Sequence, residues 1–88
     1  MIDSETERSD PLRRAEELRA QSQALRDQLA RAAAQVARVE QEVARVHRVL
    51  AAQGGPLAEE ARVHAELAEA LAAKEWAEAE RLRRVKPD

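Results

Sequence analysis

The sequence predicts an all-α protein: an antiparallel two-helix coiled-coil hairpin with unequal arms, expected to dimerise into a four-helix bundle. Three observations lead there. Apolar residues recur with alternating spacings of three and four, Gly54-Gly55-Pro56 interrupts that pattern once, and the composition is rich in Ala yet almost devoid of aromatics. The alternating spacing keeps one seam of a long helix against a partner helix. With 20 alanines, nine leucines, seven valines, one Trp and neither Phe nor Tyr, the 88 residues offer little bulk for a compact core. They suit closely spaced helices, whereas a sheet would draw on β-branched and aromatic side chains throughout.

Residues 1–10 are polar and carry Asp3, Glu5, Glu7 and Asp10 against Arg8. This composition predicts a disordered acidic tail. Ser9-Asp10-Pro11 reads as a helix start, with a side-chain oxygen to cap free N–H groups and Pro at the first helical position. The first helix is expected over about 11–53. Its seam alternates Leu29, Val36, Val43 and Leu50 with Ala32, Val39 and Val46, and extends back to Leu18 and Leu25. Gly54 can adopt the left-handed conformation that ends a helix, and Gly55-Pro56 begins the next. The second helix is expected over about 56–85, with Pro87 as its stop.

A turn at 54–55 is short enough to force the helices side by side and antiparallel, pairing residues whose numbers sum to about 110. Val43 then lies near Leu67, Val39 near Leu71 and Leu29 near Leu82. A gap is expected where Val36, Ala32 and Ala33 face Lys74, Glu75 and Glu78. The first helix outruns the second, leaving Leu12, Ala15 and Leu18 with no partner in the same chain.

A second stripe runs beside the first. On the second helix Leu57, Leu67, Leu71, Leu82 and Val85 share one line, while alanines and Trp76 share another about 100° around the cylinder. A lone hairpin buries one stripe per helix, so a second suggests a bundle. With the Leu/Val stripe assigned to the hairpin contact, the surface for a second copy is predicted at Leu12, Leu18, Ala61, Ala65, Ala68, Ala72 and Trp76.

Charge is uneven although the net value is −2. The first helix is basic and the second acidic, which favours an antiparallel partner and register more than it adds stability. Arg31, Arg38 and Arg45 recur every seventh residue. Arg81, Arg83, Arg84 and Lys86 form a basic contact patch suited to an acidic partner. Interleaved Glu40 and Glu42, overall acidity and the lack of Phe and Tyr for base stacking argue against nucleic acid as the partner.

Catalytic chemistry has little footing. Without cysteine there is neither a disulfide framework nor a thiolate metal site. His47 and His64 approach the turn end with Glu42, Glu60 and Glu66 nearby, but only loose His–Glu spacings are available on either helix, so no metal site is predicted. Ser4, Ser9 and Ser22 fall in a tail, a cap and a seam position with no activating base. No Gly-Lys-Ser/Thr follows the two glycines, and no phosphate loop is expected.

The sequence therefore predicts no enzyme and no cofactor. No signal-peptide pattern and no bilayer-spanning apolar run is present, which points to a cytoplasmic protein. In length and outline the hairpin resembles the small W-x-G hairpin proteins exported by specialised bacterial secretion systems. The likeness ends at outline, because this turn reads Gln53-Gly54-Gly55-Pro56 and the sole Trp, Trp76, lies in the second helix. The expected function is a non-enzymatic protein–protein interaction module or small adaptor that self-associates, with itself or another helical protein as partner. The alternative is an accessory factor of a transcription or other nucleic-acid machine acting through the hairpin.

Overall fold

The computed structural model describes residues 4–85, with side chains described from Asp10 onward. Two helices make up the described chain, α1 over Ser4–Ala52 and α2 over Ala58–Arg84, with no strand among the described residues. They fold back on each other as an elongated hairpin. The Cα radius of gyration is 22.6 Å, against about 12 Å for a compact chain of this length. Its thinnest dimension is 12 Å, one layer of helices, so nothing in the described chain stacks on either broad face.

The expected helix start is corrected. α1 begins at Ser4 rather than Pro11, and residues 4–10 continue the helix with Pro11 inside it. Pro11 lacks the N–H that would bond the carbonyl four residues earlier, which costs the helix one rung. The acidic sequence around Glu5 and Glu7 has the charge sign that the positive end of a helix favours. Residues 1–3 of the expected tail lie outside the described residues.

The turn follows from two glycines. Gly54 and Gly55 both have positive φ, 74° and 90°, a region that side chains with a Cβ resist. Gly54 N–H donates to the Ala51 carbonyl at 3.2 Å, closing α1. Ala58 N–H then donates to the Gly55 carbonyl at 3.2 Å across Pro56-Leu57, and Leu57 has φ −100° and ψ 2°. That is a type I turn with Pro in its preferred place. α2 consequently starts at Ala58, two residues later than Pro56. Its first turn carries Glu59 and Glu60 and its last carries Arg81, Arg83 and Arg84, both signs matching the helix dipole.

The seam that closes the hairpin is made of alanine. Ala30, Ala37 and Ala44 on α1 and Ala65, Ala72 and Ala79 on α2 recur every seventh residue and are buried. Ala33 and Ala34 on α1 and Ala61 and Ala68 on α2 fill the positions between them. Ala51 and Ala58, half-buried, carry the period through the turn. The expected Leu/Val seam is thereby corrected. Of the sixteen Leu and Val residues, fifteen are exposed and Leu82 is half-buried. Small side chains let helix axes approach to the close end of the 8–10 Å range, so the all-alanine column gives the tightest contact that a short turn can close.

Candidate protein-interaction face

The displaced leucines and valines form one surface. Leu29, Val36, Val43 and Leu50 each immediately precede a seam alanine on α1, as Leu57 at the end of the turn and Leu71 on α2 also do. A one-residue offset turns a side chain about 100° around the helix, moving it from the seam to its flank. Leu25, Val39 and Val46 on α1 and Leu67 on α2 extend the same flank outward. In an antiparallel pair the corresponding flanks of both helices open on one side, so the two columns merge into a single apolar face.

Exposure along that face is substantial, from 37% at Val43 to 69% at Leu57. A groove indents the face. Leu29 and Val36 on one wall and Glu78 and Leu82 on the other flank a floor of Ala32 and Ala33, at the level where the sequence places polar side chains opposite Val36.

The opposite face is polar and pairs its charges. Arg48 donates to both carboxylate oxygens of Glu69, at 2.9 and 3.0 Å, linking α1 to α2. That bidentate hydrogen bond holds the Glu69 carboxyl below its ordinary pKa. Within α2, Arg62 lowers Glu59 in the same way, and beside the groove on the apolar side Arg81 lowers Glu78. These three glutamates are kept ionised, the reverse of what a general acid requires.

The predicted contact residues divide by position. Ala61, Ala65, Ala68 and Ala72 are buried against α1 of the same chain, so they belong to the hairpin's own seam rather than to an outward surface. Trp76 is also drawn inward. It is half-buried against Ala33, Ala34 and Ala79, with the Arg38 guanidinium 5.7 Å from the ring centroid. Leu12 and Leu18 stay exposed, at 69% and 57%, on the part of α1 that extends beyond α2. In the basic patch, Arg81 pairs with Glu78 at 2.5 Å and Arg84 with Glu80 at 3.3 Å, Arg83 is exposed, and Lys86 lies outside the described residues.

The histidines meet as the antiparallel register requires. The rings of His47 and His64 lie 5.2 Å apart at 39°. His47 Nδ1–H donates to the Val43 carbonyl at 2.9 Å, and His64 Nε2 is 3.7 Å from Glu60 Oε1. Among the described residues no group of three His, Asp or Glu side chains converges as a metal site would. No helix of the described chain is long and apolar enough to cross a membrane.

What sequence reasoning missed is the outward role of the Leu/Val columns, together with the Arg48–Glu69 link and the Arg38–Trp76 stack on the far side. A signal was present. The Leu/Val column is broken on α2 by Glu60, His64, Lys74 and Glu78, whereas alanine recurs every seventh residue from Ala30 to Ala79 without a break. No protein-family model matches the chain, and neither curated proteins nor solved structures give a significant match.

Proposed function

We propose that this protein is a non-enzymatic coiled-coil interaction module that self-associates through its Leu/Val face. One observation carries the reading: fifteen large apolar side chains are exposed, and most of them share one side of a hairpin a single layer thick. Contiguous apolar surface on this scale marks a contact site. The chain exposes 7052 Å², about 1,900 Å² more than the roughly 5,200 Å² expected of a compact monomer of 9.8 kDa. A standard interface covers about 800 Å² on each partner, so the surplus is ample for one.

Self-association also fits the helical geometry, since two hairpins stacked on their apolar faces make a four-helix bundle. Sedimentation velocity at micromolar concentration tests the proposal. The chain is expected to sediment as a dimer, and the double variant Val39→Glu, Leu71→Glu as a monomer with unchanged helicity, because a partner cannot cover unpaired carboxylates cheaply. A parent chain that stays monomeric, or a double variant that assembles like the parent, rejects it.

A further inference from the structure

We infer that the second copy packs face to face and head to tail, with a two-fold axis crossing the hairpin between Val39 and Leu71, so that each turn lies beside the other copy's open end. The inference rests on the self-association reading and specifies its geometry. Charge complementarity along α2 selects it. A two-fold through that level sets each residue of a flank column opposite a residue of the same column in the other copy. On α1 the pairs from Leu29 to Leu50 are apolar: Val36 opposes Val43, Leu29 opposes Leu50, and Val39 opposes its own counterpart, while Leu25 reaches the level of Gln53 and Gly54 at the turn.

On α2 the same axis sets Leu71 against its counterpart, and at its two ends Leu57 against Val85. The polar positions then find opposite charge or an acceptor. Glu60 opposes Arg81 of the second copy, and His64 opposes Glu78. Only Leu67 meets a charged residue, Lys74, whose aliphatic stem can lie along it. Both centres fall at one level of the hairpin, because the register in which His47 meets His64 also places Val39 beside Leu71. Ala32, on the floor of the groove, lies opposite Val46 of the second copy, so an apolar knob is supplied where the face is indented.

The alternative two-fold, with both turns at one end, stacks α1 of one copy on α2 of the other. It sets Val36 against Lys74, Val46 against His64, Leu50 against Glu60 and Ala32 against Glu78. Lys74, Glu60, Glu78 and the imidazole of His64 would then be covered by apolar side chains, whereas head-to-tail packing sets only Lys74 against one.

Charge reversal in two separate chains tests the geometry. Glu60→Arg alone sets Arg against Arg81 twice in a dimer, and Arg81→Glu alone sets Glu against Glu60 twice. Each is expected to associate about tenfold more weakly than the parent, and their equimolar mixture to recover parental affinity, because every opposed pair in the mixed dimer is again of opposite sign. A mixture no tighter than its components overturns the inference.

A second measurement uses the absence of native cysteine. With a short bis-maleimide, Val39→Cys and Leu71→Cys chains are each expected to link to their own kind, and Leu57→Cys to link to Val85→Cys. Val39→Cys linking to Leu71→Cys of another chain, or Leu57→Cys linking to itself, overturns head-to-tail packing while leaving self-association intact. A monomeric parent mass in light scattering removes the broader proposal and the geometry together.

Discussion

At the scale of single residues the hairpin depends on what alanine lacks. Ala65 is completely buried, with α1 packed where a longer side chain would extend. Ala65→Leu should therefore lower stability by about 1–3 kcal/mol through overpacking, read as a fall in the thermal midpoint of the circular dichroism signal. Leu71→Ala, on the exposed flank, should leave the helicity of a dilute sample nearly unchanged and weaken association instead. Equal losses in dilute samples of both would mean that the two stripes share the hairpin contact.

Trp76 adds a spectroscopic check. Because it rests on Ala33, Ala34 and Ala79 of its own chain, its emission should lie to the blue of free indole and stay constant on dilution. A shift that grows with protein concentration would place the indole in the contact between copies.

At the scale of elements, the turn and the interhelical ion pair decide how firmly the hairpin closes. A Cβ at Gly54 or Gly55 would meet nothing within 4 Å, so the cost of substitution is conformational. With φ at 74° and 90°, replacing both by Ala should cost about 1–2 kcal/mol per site and shift the chain toward one long helix, seen as a larger radius of gyration in small-angle scattering. Unchanged dimensions would show that the turn tolerates the strain.

Acid acts on the Arg48–Glu69 link. Glu69 titrates in the folded hairpin below its ordinary value of 4.5, so its contribution is present above that pH and is lost as pH falls through the folded value. The pair is exposed, and the expected effect is a small loss of stability in acid that Glu69→Gln removes from the pH profile.

The hairpin, its turn and its antiparallel register were legible because glycine, proline and a seven-residue period each have one structural meaning here. Which column closes the hairpin was not legible from periodicity. Two columns one residue apart share the same period, and ranking by hydrophobicity selects Leu29, Val36 and Val43 over Ala30, Ala37 and Ala44. Closeness of approach reverses that ranking, because a tightly turned pair gains more from small side chains at the seam than from large ones. The start of α1 was misplaced for a related reason. Pro11 is a strong local signal for a first turn, yet a proline near a helix end removes one bond without ending the helix.

At the scale of the whole molecule, an alanine seam and an uncovered Leu/Val face imply that folding and association are coupled. The buried seam contributes only methyl groups, each worth little compared with a leucine, and the larger apolar area lies on the surface awaiting cover. Mass action then makes stability depend on concentration. For a dimer that unfolds to two chains, each tenfold increase in concentration adds about 1.4 kcal/mol to the stability of the folded pair. Spread over the unfolding entropy of two chains of this length, that is roughly 4 °C per decade. Thermal midpoints measured across two decades of concentration should rise by about that slope for the parent chain and stay flat for the Val39→Glu, Leu71→Glu variant, which should also melt at the lower temperature of the bare hairpin. A flat parent profile would mean that the alanine seam alone holds the fold and that the exposed face adds nothing to its stability.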